Sequence, residues 1–282
     1  MVEIREEGTD GEGSANTAGA ERQQQPSSSS SAGSRSSNSN ASIMEHVRHK
    51  PVDSALWLLR VTTIVFALLY TFPVLGTHTQ QSMYSKTLIA GAATNALRLH
   101  QRMGGFQLSR EFMSLMFLED ACHYMFYCVL FLGSQPLTMV LLPVFLFAFL
   151  HASSFTLQVL AVAEMQQGTL HRWLSSITAQ YTHSLLNVIA CAEIFMMPMV
   201  VVMTFTGQCS LLLPFIYYRF LTLRYMSRRN PNTRQAFYQM RVALQQSVQR
   251  PGCPAVLRTV AEKGISFVER LSPTQTAPAY NS

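Results

Sequence analysis

The sequence predicts an all-α, polytopic helical membrane protein with three to four membrane-embedded segments and C-terminal amphipathic helices. Three observations carry that prediction. No Asp, Glu, Lys or Arg occurs in the 43 residues from Ala121 to Ala163, and one bilayer crossing needs roughly 20 mostly apolar residues. Hydrophobic residues make up 48% of the chain and charged ones only 13%, about half the charged share usual in soluble domains. Charge is also segregated: residues 1–50 carry net −2, residues 51–213 net 0 and residues 214–282 net +8.

Residues 1–43 are rich in Ser, Gly, Gln and Asn. They lack the apolar surface needed to offset ordering entropy, so they read as a disordered tail. No signal-peptide pattern precedes Trp57. The transmembrane domain is expected over 44–209, with spans at about 55–75, 112–132, 137–160 and 185–206. In the first span, Asp53 or Ser54 is the expected cap, Arg60 is expected to snorkel to the interface, and Trp57 and Tyr70 suit interfacial positions. Pro73 marks its exit.

Residues 84–103 are only moderately apolar, and Arg98, His100 and Arg102 crowd their end. They read as an interfacial or partly inserted helix, with Ala90, Gly91, Ala92 and Ala93 allowing close packing. Gly133-Ser134-Gln135-Pro136 divides the uncharged run into a helical hairpin. A polar connector, 164–183, leads to the fourth segment, where Pro198 is expected to kink the helix.

Residues 210–231 form an aromatic and basic juxtamembrane segment, expected in the headgroup zone or packed on the spans. An amphipathic helical tail over 232–272 follows, and residues 273–282 read as disordered. In 232–250, Phe237, Met240, Leu244 and Val248 make a narrow stripe. In 255–271, Val256, Leu257, Val260, Ala261, Gly264, Phe267, Val268 and Leu271 fall within about 140° of arc. That helix can lie on a membrane or pack on the protein's own helices. The expected membrane contacts are Leu257, Val260, Phe267 and Leu271, with Arg219, Arg224, Arg228 and Arg229 holding headgroups.

Topology meets a conflict. Lys86, Arg98, Arg102 and Arg110 favour residues 76–110 in the cytosol and the hairpin tip in the lumen. Four full crossings would then leave the basic tail on the lumenal side, so one segment is expected not to cross fully and the tail to be cytosolic. The glycosylation acceptor Asn40-Ala41-Ser42 offers a reporter for the N-terminal side.

Polar residues inside apolar segments are costly and stand out: Glu119, Asp120, His123, His151, Asn187 and Glu193. They read as interhelical packing contacts. The alternative is an ion channel or transporter using Glu119, Asp120 and Glu193, or a metal site formed by Asp120, His123 and Glu193. No catalytic, cofactor or metal motif is present. Cys122, Cys128, Cys191, Cys209 and Cys253 include no Cys-x-x-Cys pair, which argues against a disulfide framework. The basic tail points to an anionic membrane surface rather than nucleic acid.

Several blocks carry a family resemblance: ALRLHQR (96–102), FQLSR (106–110), LEDACHY (118–124), CAEIFMMP (191–198) and PFIYYRFLTLRYMSRRNP (214–231). From about Met44 to Pro273 the chain resembles the transmembrane protein 33 family, which includes Krüppel homologue 2 proteins and fungal pore-membrane proteins. The resemblance implies a non-enzymatic membrane protein of the endoplasmic reticulum and nuclear envelope. It implies links to tubular reticulum organisation, membrane curvature and stress responses, with reticulon-type membrane proteins or nuclear-pore components as partners. It brings no catalytic residue, cofactor, small-molecule substrate or nucleic-acid partner.

Overall fold

The uncharged runs become long helices, but two segments too polar to read as spans run beside them. The computed structural model describes residues 44–45, 48–72, 76–104, 109–165, 167–227, 231–250 and 254–271. Its helices are α1 (Pro51–Thr71), α2 (Thr77–Met103), α3 (Arg110–Phe117), α4 (Asp120–Leu132), α5 (Thr138–Val162), α6 (Thr169–Phe205), α7 (Leu213–Met226), α8 (Asn232–Val248) and α9 (Ala255–Leu271). No strand occurs among the described residues. By length and apolarity α1, α5 and α6 each suffice to cross a membrane, and α3 with α4 adds a fourth crossing if the pair is one broken span.

The helices alternate in direction between two ends of a bundle. At one end, here the turn end, Gln80 Nε2 donates to the Tyr70 carbonyl at 3.0 Å, and Tyr70 Oη meets Thr138 Oγ1 at 3.4 Å. At the other, the tail end, Gln101 Nε2 donates to Asp53 at 3.2 Å and Trp57 Nε1 to Thr156 at 3.0 Å. Thus α1, α4 and α6 run toward the turn end, and α2, α5 and α7 run back. The chain returns to the tail end before α8 begins.

This corrects the sequence reading of residues 76–110. Residues 76 and 110 lie at opposite ends because α2 runs the length of the bundle, packed along α1 and α4. Its polar side chains satisfy themselves on their own helix: Thr87 Oγ1 donates to Met83 O and Thr94 Oγ1 to Ala90 O, each at 2.8 Å, and Asn95 Nδ2 donates to Gly91 O at 2.8 Å. A helix whose polar groups are internally paired can enter an apolar bundle at little cost. Gly91 sets the spacing: a Cβ there would lie 2.9 Å from Val144 Cγ1 and 3.1 Å from Cys128 Sγ. Apolar burial drives little helix association in lipid, so such close approach contributes through dispersion. With α2 and α7 as return strokes, the tail reaches the same end of the bundle as the start of α1.

Other boundaries shift for local reasons. The N-cap of α1 is Lys50, not Asp53 or Ser54; Ser54 Oγ instead donates to the Lys50 carbonyl at 2.9 Å. The second expected span is broken, since α3 and α4 meet at 80°. Ser109 caps α3, accepting from Phe112 N at 3.0 Å. Most of the expected connector 164–183 is helical, because α6 starts at Thr169. Pro73, the Pro251-Gly252-Cys253 break, the acceptor sequence at Asn40, residues 1–43 and residues 273–282 lie outside the described residues.

The core is an aromatic ladder. Tyr127 and Phe131 on α4 face Tyr217 and Phe220 on α7, with Tyr127–Phe220 centroids 5.2 Å and Phe131–Tyr217 centroids 5.6 Å apart. Tyr70, expected at the interface, is buried in this core. The outward faces of the long helices carry exposed Leu58, Val65, Leu68, Phe195 and Val202, as lipid-facing surfaces do.

Candidate functional site

Two short helices create the polar centre. α4 and α7 have 13 and 14 residues, about 20 Å each at 1.5 Å per residue, short of a ~30 Å hydrocarbon core. α4 begins and α7 ends near the tail end, where Glu119 meets Arg102 and Ser227 meets Asp120. The long helix α6 continues past them, and charged residues fill the space where they stop.

Arg224, near the end of α7, is the hub. Its Nε donates to Glu193 Oε1 and Oε2, both at 3.2 Å, and its Nη1 donates to Asp120 Oδ1 at 3.1 Å. Asp120 also accepts from Ser227 Oγ at 3.0 Å. Glu193 is fully buried and also receives the Tyr124 hydroxyl and, at 3.5 Å, Thr233 Oγ1. Tyr217 Oη donates to the Glu193 carbonyl at 2.7 Å. That carbonyl lies one residue before the Ile194 carbonyl that Pro198 deprives of its usual donor. The guanidinium carbon stands 5.1 Å from the Tyr124 ring centroid. α4, α6, α7 and α8 are thus tied by one buried charge cluster.

This overturns the expected role of Arg224. It is 1% exposed and holds carboxylates, so it cannot reach headgroups. Arg219, roughly 140° away around the helix, is exposed. Arg228 and Arg229 lie outside the described residues.

The other singled-out residues separate into distinct settings. Glu119 pairs with Arg102 at 2.6 Å. His123 donates from Nε2 to the Phe117 carbonyl at 2.6 Å, while its Nδ1 is buried 3.9 Å from Asp120 Oδ1. His151 Nε2 lies 3.0 Å from Arg98 Nη1; a guanidinium only donates, so this nitrogen accepts and the ring is neutral. Asn187 reaches sideways to Gln239 on α8 at 3.0 Å, rather than between spans. Among the described residues, no group of three His, Cys, Asp or Glu is arranged to hold a metal.

Sequence reading missed Tyr124, Tyr217 and Thr233 as members of the cluster. It also missed the convergence of Arg60, Arg98 and Arg102. Arg60 was expected to snorkel outward, yet it is 9% exposed and faces a cavity shared with Arg98 and His151. An arginine one turn inside an apolar span was the available signal.

The two tail helices differ. α8 docks through buried Ala236, Thr233 and Val248, with Phe237 and Met240 against Ile194 and Leu221. Leu244, expected on the same stripe, is exposed. α9 buries no residue fully. It is held by an Arg241–Glu269 ion pair, by Tyr218 Oη donating to the Leu271 carbonyl at 2.9 Å, and by Arg258 Nε donating to the Val248 carbonyl at 3.4 Å. Its partly covered positions are Ala261 and Ile265, on the flank of the apolar arc. Val260 and Phe267, on the side of that arc away from Ala261, are 61% and 63% exposed.

Comparison with known proteins matches residues 35–274 to the family model Transmembrane protein 33/Nucleoporin POM33. Transmembrane protein 33 of Homo sapiens is 44% identical over 234 residues, covering 83% of this chain and 95% of that protein. The rat protein of that name matches to the same extent. Krueppel homolog 2 of Drosophila melanogaster is 40% identical over 239 residues, covering 85% of each. No solved structure matches the chain.

Proposed function

The chain belongs to the transmembrane protein 33/Pom33 family of multi-pass membrane proteins, and from that premise we propose that it is a non-enzymatic membrane organiser of the endoplasmic reticulum and nuclear envelope. In this reading it biases curvature in the tubular reticulum network and acts with reticulon-type or nuclear-pore partners. One observation carries the reading: the uncovered apolar face of α9 lies on a strongly basic tail at the tail end of the bundle.

The charge distribution supports an orientation. The turn-end connections, residues 72–76, 133–137 and 206–212, contain no Lys or Arg. Lys50, Arg102, Arg110, Arg172 and, on α8, Arg234 and Arg241 belong to the tail end. The positive-inside rule therefore puts the tail end in the cytosol. An amphipathic helix sinks about 5–10 Å into the headgroup boundary. With Val260 and Phe267 down, α9 would wedge into the cytosolic leaflet beside the bundle, and Arg258, Lys263 and Arg270 would face anionic lipid.

The channel reading draws less support. Glu119, Asp120 and Glu193 are each held by an arginine, so none offers a free carboxylate to a passing cation.

The test is flotation of a peptide covering residues 249–282 with phosphatidylserine-containing vesicles. The parent peptide floats, and Val260→Asp with Phe267→Asp stays at the bottom of the gradient. Equal flotation of both peptides overturns the membrane reading of α9.

A further inference from the structure

The buried cluster at Arg224 borders a cavity of about 290 Å³, which adjoins a second space of about 510 Å³ near the tail end. Arg60 on α1, Arg98 and Arg102 on α2 and His151 on α5 line both, and Arg224 lines the inner one. We infer that this cavity is a binding site for a phosphate monoester, presented by the headgroup of an anionic lipid.

The inference rests on which charges already have partners. Arg102 is matched by Glu119, and Arg224 by Glu193 and Asp120. Arg60 is 9% exposed and makes no hydrogen bond or ion pair among the described residues. Arg224 keeps one further donor, Nη2, buried and without a partner. A buried cation and a buried donor on one cavity are costly as they stand and are relieved by an anion.

Asp120 accepts from Arg224 and Ser227. Asp53, in the outer space, accepts from the neutral Gln101 amide and attracts Arg60 across that space without an ion-pair contact. His151 is neutral and adds no charge. Guanidinium forks on several helices suit a tetrahedral dianion better than a planar carboxylate held by one arginine. The source is indicated by the other wall, where Val144, Phe147 and Leu186 line the inner cavity. That wall suits the glycerol and upper acyl carbons of a lipid, which a free phosphate lacks.

The experiment uses the full chain in nanodiscs of phosphatidylcholine with or without phosphatidic acid. Val260→Asp with Phe267→Asp is the background, so that α9 does not contribute. Lipid retained after detergent extraction is counted by native mass spectrometry, and thermal midpoints are read with phosphatidic acid or inorganic phosphate added. The expected result is phosphatidic acid retained by the background protein and held about tenfold or more weakly by Arg60→Gln. Arg60→Lys, which keeps the charge but not the fork, falls between. Stabilisation by inorganic phosphate, lost in Arg60→Gln and without retained lipid, keeps the phosphate site and assigns it a free ion. If Arg60→Gln does not melt cooperatively, the background protein's own response decides. No response to either phosphate source, or equal retention by a folded Arg60→Gln, overturns the inference.

Discussion

Arg224 and Arg60 line one cavity and are almost equally hidden, at 1% and 9% exposure, yet they stand in opposite electrostatic situations. Arg224 carries two carboxylates brought from α4 and α6 and is stacked near Tyr124. Arg60 carries none. Both make the desolvated charge of a membrane interior tolerable in principle, one with a counter-charge from the chain and the other with one from outside it. The difference separates an internal strut from a receptor for an anion, and substitutions at the two sites should move stability in opposite directions.

The largest effect is expected at the strut. Glu193→Ala leaves Arg224 buried against Asp120 alone and should destabilise the protein by about 3–5 kcal/mol. Thermal unfolding in detergent reads this directly. Adding Arg224→Met removes the orphaned charge as well and should recover most of the loss. A double variant no better than Glu193→Ala would mean that the cluster is not acting as a charge pair.

Close packing next to both arginines comes second. Gly91→Ala gains up to about 1 kcal/mol of helix propensity. It drives a methyl to 2.9 Å from Val144 Cγ1 and 3.1 Å from Cys128 Sγ, and overpacking of that kind costs about 1–3 kcal/mol. A net destabilisation of about 1 kcal/mol follows, with Val144 displaced in the cavity wall. A stabilised Gly91→Ala protein would show that α2 can move away from α4 and α5 without loss.

Much of the fold was readable because lipid imposes it on composition. The uncharged run, its break near Gly133 and the all-helical class follow from what a bilayer excludes. Polar return strokes were not readable in this way. α2 looks interfacial by composition, and only the bonds of Thr87, Thr94 and Asn95 to their own helix make its place in the bundle affordable. The buried arginines were misread for a related reason. The partners of Arg224 lie 31 and 104 residues away, and no local pattern announces such a pairing. For Arg60, the expectation of snorkelling assumed that the nearest polar phase was outside, when a polar cavity lay within the bundle.

The receptor side of the comparison is tested by Arg60→Met. In detergent free of phosphate and anionic lipid, replacing an unmatched buried cation with an apolar side chain should raise stability by about 1 kcal/mol. The sign is opposite to that of Glu193→Ala. A loss of similar size would give Arg60 a structural partner and make it a second strut.

The smallest effect is expected on α9, where the same question of matched charge arises in water. The Arg241–Glu269 pair is about half exposed on both sides, at 49% and 47%. Screening and side-chain entropy reduce such a pair to about 0–1 kcal/mol. Arg241→Gln should therefore leave the unfolding midpoint within error. Its effect belongs to placement, since this pair and the bonds from Tyr218 and Arg258 help fix α9 beside the bundle. Combining Arg241→Gln with Tyr218→Phe removes two of these ties at no cost to the core. A nitroxide at Phe267 should then report broader mobility in detergent but unchanged depth in anionic vesicles. If the label instead leaves the bilayer, α9 is positioned by the bundle, and its apolar face alone does not hold it in lipid.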